Sequence, residues 1–243
     1  KVSVRPYIYT SKKTAVPYSF HSDEGVKDEI RYPLYYQVIF KRQNTKMKSY
    51  YGGHYKSIED VQNENKGLID FETKVIEQSI QYEGLIHGDD FQMKGFPDRY
   101  ANYTRSISQV VGLHLKHIIW LVTNRASNNK EYQDQYFNYF FFIDYKNSNF
   151  QFNHLYNMLK KLYNNFNKYL TEEDLQTIKA YEYLEQLYPK VKDYSFKTVI
   201  EWLNHTVKNE YRNKLINTFK LNAMQAEKYV DRIEKAVQTE IKQ

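Results

Sequence analysis

The chain contains no cysteine, and it has only 8 glycines and 5 prolines among its 243 residues. Without cysteine, a disulfide scaffold, a thiol nucleophile and a thiolate metal site are all excluded. The sequence also lacks a GxxxxGK[ST] phosphate loop, a GxGxxG motif after a strand and a GxSxG nucleophile turn. Since the common nucleotide-binding and acyl-transfer sites depend on these motifs, the sequence predicts a protein that is not an enzyme and binds no cofactor.

Long apolar runs are also missing from this sequence. The most apolar window covers residues 107–122, and it is interrupted by His114, Lys116 and His117. A stretch this short and this polar does not cross a bilayer, so the sequence predicts no membrane span. What the chain has in abundance is aromatic residues, with 25 Tyr and 14 Phe, and a formal net charge of +6. The rings predict a packed core, and the charge favours nucleic acid or an acidic protein as a partner.

Acidic residues are absent from the segment between Ile30 and Ile58. In the same segment the pattern predicts two strands around a polar turn, followed by a break at Gly52-Gly53 and then a helix. We call this predicted strand pair the basic hairpin. A basic, aromatic surface attracts polyanions, and the sequence therefore predicts nucleic-acid contacts, without sequence preference, by five residues. These are Lys41, Arg42, Lys46, Lys48 and Lys56. The alternative is a charged, solvated strand edge that prevents strand addition.

The sequence as a whole predicts an α+β fold, with a small antiparallel basic sheet, a predominantly helical bundle and an extended N-terminal arm. We divide the chain into four segments: the arm at 1–29, the hairpin with a helix at 30–81, a flexible glycine-rich loop at 82–99, and a mainly helical core at 100–243. Prolines and aromatic residues alternate in the arm, and we predict that its rings pack on a neighbouring subunit. The rings are those of Tyr7, Tyr9, Tyr18 and Phe20.

Local signals place several helix boundaries. Ser57, followed by two acidic residues, predicts a helix start with an interruption near Gly67, and Thr171 with Asp174 resembles a capping box. Within the helical core, apolar residues recur every three or four positions over 152–170, 199–219 and from 222 onward, whereas 136–145 favours a strand. We predict that Trp202 helps to seal the resulting bundle.

Metal and acid–base sites have little support. His114 and His117 lie one helical turn apart, and His87 precedes Asp89-Asp90. Two histidines in an apolar helix outside a HExxH motif are more often packing residues, and adjacent carboxylates in a loop are more often solvated. We therefore predict no metal site and no catalytic pair.

The segment from Leu34 to Val61 resembles the N-terminal arm-binding domain of phage and transposon integrases. The resemblance lies in Leu34-Tyr-Tyr-Gln-Val-Ile-Phe-Lys-Arg, Lys46-Met-Lys-Ser and Gly52-Gly-His-Tyr-Lys-Ser-Ile-Glu-Asp-Val. It implies a three-stranded sheet and a helix that read DNA. A tyrosine recombinase also needs a His-x-x-Arg motif, but none of His114, His117 and His205 is followed by Arg at that spacing. The resemblance thus implies the DNA-binding part of a mobile-element protein.

The whole chain resembles a second family, the lower collar or head-tail connector proteins of small podoviruses that infect low-GC Gram-positive bacteria. Length, basicity, A/T-biased composition and the arm sequence Arg5-Pro-Tyr-Ile-Tyr-Thr-Ser carry this resemblance. It implies a virion structural protein, assembled in the bacterial cytoplasm, that forms a homo-oligomeric ring around the DNA exit path between portal and tail proteins. We take this as the first expectation and the mobile-element DNA-binding protein as the alternative.

Overall fold

The computed structural model describes residues 1–22, 25–127, 152–162, 166–189, 194 and 196–241. Within these ranges it contains a five-stranded antiparallel sheet and nine α-helices, which confirms the predicted α+β class. The chain forms two compact units, one of residues 1–105 with 191–204 and the other of residues 106–190 with 205–243. Among the helices described, none combines the length and the apolar character needed to cross a membrane.

The first unit is built on one long central strand. The strands are β1 (Ser3–Ile8), β2 (Val16–Ser22), β3 (Gly25–Phe40), β4 (Gln43–Lys48) and β5 (His54–Tyr55). The first half of β3 pairs with β2, and its second half lies between β1 and β4. The structure therefore differs from the predicted arm over residues 1–29: β1 and β2 pair with β3 of the same chain, because their backbone groups find hydrogen-bonding partners there.

The helices cover most of the remaining described residues. They are α1 (Ile58–Glu64), α2 (Leu68–His87), α3 (Phe96–Thr104), α4 (Ile107–Ser127), α5 (Phe152–Leu162), α6 (Glu172–Leu187), α7 (Val199–Leu203), α8 (Thr206–Phe219) and α9 (Ala223–Ile241). Two short 3₁₀ turns lie at Gly88–Asp90 and Phe166–Tyr169.

The predicted start signals are confirmed. The Ser57 side chain accepts a hydrogen bond from the Asp60 amide at 3.1 Å, and Thr171 does the same for Asp174. Gly67 separates α1 from α2 with a φ of +85°, in the left-handed region where a side chain is strained. These caps satisfy backbone donors that a helix start leaves without partners.

One face of the β1-β3-β4 sheet supplies the core of the first unit. Leu34, Tyr36 and Val38 on β3 are fully buried. Helix α2 packs against β1, and α3 packs against β4, so the helices cover this face. Helix α7 packs against α2 and α3, and its Trp202 is fully buried there. On the opposite face, where β3 pairs with β1 and β4, no residue is buried, and Arg5, Ile39 and Lys46 are exposed there.

A buried carboxylate holds the segment that follows β4. Glu72 on α2 is fully buried and accepts hydrogen bonds from the Ser49 hydroxyl and from the amides of Tyr50, at 2.7 Å, and Tyr51, at 3.2 Å. Burial raises the pKa of Glu72, and the hydrogen bonds from Ser49, Tyr51 and Tyr50 act against that rise. The contact fixes the end of β4 to the central helix.

The structure also differs from the flexible loop predicted for 82–99. Residues up to His87 complete α2, and α3 begins at Phe96. The short connection between them is held by Arg99, whose guanidinium binds the buried Glu83 carboxylate with two hydrogen bonds of 2.8 and 2.6 Å. The same guanidinium donates to the Gln92 carbonyl at 3.2 Å, so one side chain ties the connection to both helices.

The second unit is a helical bundle. Helix α9 packs against α4, α6 and α8, with Val230, Ile233 and Val237 fully buried. The buried Tyr211 hydroxyl donates to the Ala180 carbonyl at 2.7 Å, which joins α8 to α6. A paired phenol of this kind adds apolar contact without leaving a polar atom unsatisfied.

The continuous helix predicted over 199–219 is wrong. The helix that begins at Val199 ends at Leu203, because His205 adopts a φ of +63° that an α-helix does not accommodate. As a result Trp202 and Leu203 belong to the first unit, and Val207 onward belongs to the second. Trp202 therefore does not seal the bundle as predicted. The strand predicted over 136–145 lies outside the described residues.

Candidate nucleic-acid interface

The side of the β1-β3-β4 sheet opposite the buried residues of β3 forms a basic surface, which we call the open face. Strand register places its residues in three rows that cross β1, β3 and β4 in turn. The rows are Ser3, Ile39 and Asn44; Arg5, Gln37 and Lys46; and Tyr7, Tyr35 and Lys48. Because side chains alternate along each strand, these residues share one face, opposite Leu34, Tyr36 and Val38.

The cations of the open face stand on its two outer strands. Arg5 on β1 and Lys46 and Lys48 on β4 are exposed. None of the three makes a side-chain hydrogen bond or an ion pair with another residue in the part of the chain that the structure describes. The three rows contain no Asp or Glu. The surface thus offers free positive charge without a competing carboxylate.

Three tyrosines lie together at one end of the open face. The Tyr35 ring centroid is 6.0 Å from that of Tyr7 and 5.0 Å from that of Tyr9, and the Tyr7 and Tyr9 rings meet edge to face. Burial, followed by the nearby hydroxyls of Tyr35 and Tyr9, raises the pKa of Tyr7. These rings pack on one another, so they stiffen the sheet beside the cations instead of offering parallel free faces for base stacking.

The turn of the basic hairpin is strained. Phe40 pairs with Gln43, so Lys41 and Arg42 are the two central residues, and both have positive φ, at +46° and +63°. This is the geometry of a type I′ turn, which favours Asn and Gly at these positions. Lys41 also donates to the Gly88 carbonyl at 2.6 Å, where a cation stabilises the end of α2.

The hairpin is docked firmly on the connection between α2 and α3. The Gln43 amide donates to the Phe91 carbonyl at 3.1 Å and accepts from the Met93 amide at 2.8 Å. The Phe40 and Phe91 rings meet edge to face at 5.3 Å. These contacts hold the hairpin backbone from the helix side, and Arg42, Lys46 and Lys48 project from its turn and its other side.

Replacing Arg42 by glycine is expected to raise the free energy of unfolding by about 1 kcal/mol, because glycine adopts a positive φ without steric cost. Equilibrium denaturation of the two proteins measures the difference. The matched control is Arg42→Ala, which removes the same charge but keeps the strained backbone, and it is expected to gain no stability. Equal stability of the glycine and alanine variants would contradict the assignment of strain to this residue.

The five predicted nucleic-acid residues separate into two groups. Arg42, Lys46 and Lys48 are exposed and have no side-chain partner among the described residues. Lys41 contacts the end of α2, and Lys56 binds Glu29 at 3.1 Å. Hydrogen bonds from Arg31 and Lys56 lower the pKa of Glu29, which keeps that carboxylate charged. Lys41 and Lys56 therefore already have partners within the chain.

The residues predicted as an oligomer arm have partners within the chain. Tyr7 and Tyr9 belong to the tyrosine cluster of the open face. The Arg31 guanidinium lies over the Tyr18 ring of β2, 3.8 Å from the ring centroid, and the backbone of Phe20 pairs with that of Lys27 in the β2-β3 ladder. Sequence reasoning missed Arg5, although its two-residue spacing from Tyr7 is the period of a strand face.

The described residues bring together no group of three or more His, Asp or Glu side chains that would hold a metal ion. His114 lies 3.6 Å from Glu240 in the helical unit, and its neighbour His117 stacks on Trp120. Asp89 and Asp90 are exposed in a 3₁₀ turn.

Comparison with protein-family models, with curated proteins and with solved structures finds no match to this chain. The resemblances to integrase arm-binding domains and to podovirus collar proteins therefore stay predictions. The open face itself is the basis for assigning a function.

Proposed function

We propose that this chain is a non-enzymatic DNA-binding protein of a mobile element, and that the open face of strands β1, β3 and β4 enters the major groove of duplex DNA. The observation that carries the proposal is the arrangement of free cations on the two outer strands, with uncharged side chains on the strand between them. Phosphate neutralisation by Lys and Arg supplies most of the affinity in such complexes.

The dimensions of the sheet support a groove-bound arrangement. Neighbouring strands lie about 4.8 Å apart, so the backbones of β1 and β4 are separated by roughly 10 Å. The major groove is about 12 Å wide and admits β-structure. In this arrangement Arg5 on one side and Lys46 and Lys48 on the other reach the two phosphate walls, while β3 faces the base edges.

Replacing Arg5, Lys46 and Lys48 together by glutamine is expected to flatten the slope of log affinity against log salt by about 2.7, that is, about 0.9 for each phosphate that is no longer neutralised. Titration of a fluorescent duplex at several salt concentrations measures the slope. The matched control replaces Lys66, Lys94 and Lys161, which are exposed and do not belong to the open face, and so changes the net charge equally. Equal slopes for the two triple variants would refute the proposal.

The collar expectation leads to different behaviour. A ring subunit should form large oligomers and bind DNA weakly without sequence preference, whereas a mobile-element protein should be small in solution and prefer one site by about a thousandfold or more over scrambled competitors. Native mass, measured with and without duplex, and competition with scrambled DNA separate the two. A large ring without site preference would support the virion protein instead.

A further inference from the structure

The central strand of the open face carries uncharged side chains between the cations. Gln37 lies between Arg5 on β1 and Lys46 on β4. It is partly exposed, and its side-chain amide makes no hydrogen bond with any residue that the structure describes. Since a side-chain amide presents both a donor and an acceptor, Gln37 has the groups needed to bind a base edge.

Ile39 is the next residue of β3 on the same face. It lies between Ser3 and Asn44, and 37% of it is exposed. Aliphatic side chains are enriched in cores, but this one stands on the open face with small polar neighbours on both sides. In the major groove an apolar side chain has one natural counterpart, the thymine methyl group.

The spacing of Gln37 and Ile39 matches the spacing of bases. Residues two apart on a strand are separated by about 6.7 Å. Successive base pairs are about 3.4 Å apart along the duplex, so two base steps cover nearly the same distance. A strand that runs along the groove therefore places these two side chains opposite base pairs two steps apart.

We infer that Gln37 and Ile39 determine sequence specificity: the Gln37 amide binds the N6 and N7 edge of an adenine, and Ile39 contacts the methyl group of a thymine two base steps away. This inference rests on the proposed function, since it requires the open face to lie in the major groove. Arg5 and Lys46 hold the phosphates on either side and carry no sequence information, because the outer strands face the backbone walls.

The test begins with selection of sites from a random duplex library by the wild-type protein. The selected site is expected to contain an adenine and a thymine two steps apart. Replacing that adenine by 7-deazaadenine, which lacks N7, is expected to weaken wild-type binding by about 5- to 150-fold. Replacing the thymine by deoxyuridine, which lacks only the methyl group, is expected to weaken it to a smaller extent. Both changes are made in the DNA, so they cannot disturb the protein fold.

Protein variants complete the comparison. Gln37→Ala should bind the adenine and 7-deazaadenine duplexes equally, and Ile39→Ala should no longer distinguish thymine from deoxyuridine. Gln37→Glu should shift the preference at the first position toward cytosine, whose N4 group donates to a carboxylate. Gln62→Ala, at an exposed glutamine of α1, is the matched control and should select the same site as wild type.

Failure of this inference differs from failure of the proposed function. If the wild-type protein binds duplex DNA with the expected salt slope but is insensitive to both modified bases, or if Arg5→Gln rather than Gln37→Ala changes the selected bases, the assignment of Gln37 and Ile39 is overturned while DNA binding by the open face stands. If the wild-type protein binds no duplex DNA at any salt concentration, the proposed function fails and the inference fails with it.

Discussion

Replacing Trp202 by alanine is expected to lower the free energy of unfolding of the sheet-containing unit by about 3 to 5 kcal/mol. The indole is fully buried in α7, where that helix packs against α2 and α3. Alanine leaves a cavity that the surrounding helices fill only in part, and the missing packing interactions add to the reduced burial of apolar surface. Chemical denaturation followed by circular dichroism measures the change.

An exposed apolar residue of the same unit provides the control for the Trp202 variant. The control is Leu85→Ala, because Leu85 is 84% exposed and its truncation should change stability by no more than about 0.5 kcal/mol. The salt-dependent binding of DNA should weaken in the Trp202 variant only under conditions where the protein begins to unfold. A Trp202→Ala protein as stable as the Leu85→Ala protein would mean that α7 is not part of this core.

The basic hairpin could be predicted from sequence because its signals are local. A run of aromatic and β-branched residues ends at Phe40, a polar turn follows, and Gln43 follows Phe40 after two residues only. The helix starts at Ser57 and Thr171 were predictable for the same reason, since a cap and its partner lie three residues apart. In each of these cases one short window contains the whole interaction.

The strands before the hairpin could not be predicted in the same way. Strand β1 pairs with residues about thirty positions later, and no local pattern specifies that register. Pro6 favoured an irregular arm in the sequence. In the structure β1 is an edge strand that pairs only with β3 among the described residues, and an edge strand tolerates proline. Arg5 was therefore missed as a member of the open face, and its row with Gln37 and Lys46 emerges only from the pairing.

The break after α7 has a similar explanation. Apolar residues recur with a period of four from Val199 to Phe219, and that pattern favours one helix. His205 nevertheless adopts a left-handed conformation. A glycine at this position would have indicated such a break in the sequence, whereas a histidine does not. Packing of Val199 and Trp202 in one unit and of Val207 in the other outweighs the local preference for a continuous helix.

Replacing Glu72 by alanine is the second change for which we expect a large effect, a loss of about 3 kcal/mol in the free energy of unfolding. The substitution leaves the buried Ser49 hydroxyl and the partly buried amides of Tyr50 and Tyr51 without their acceptor. Thermal and chemical denaturation measure the loss. Glu59→Ala, at an exposed position of α1, is the control and should have little effect on stability.

The pH dependence of the neutral variant Glu72→Gln tests the same site independently. Burial raises the pKa of Glu72 in the folded protein, so the folded state holds this proton more tightly than the unfolded state. The stabilising contribution of the protonated carboxyl is therefore fully present below the unfolded-state pKa and is lost as the pH rises through the raised value. Since glutamine does not titrate, the stability of Glu72→Gln relative to wild type should increase with pH across that window.

Other carboxylates affect wild type and variant alike, so they cancel in this difference. Glu29 and Glu173 have pKa values lowered by their basic partners, and their contribution has the opposite sign, being lost as the pH falls. If the stability difference between Glu72→Gln and wild type is flat with pH, the carboxylate is not buried beneath the sheet, and the support that it gives to Ser49 and the end of β4 must come from elsewhere.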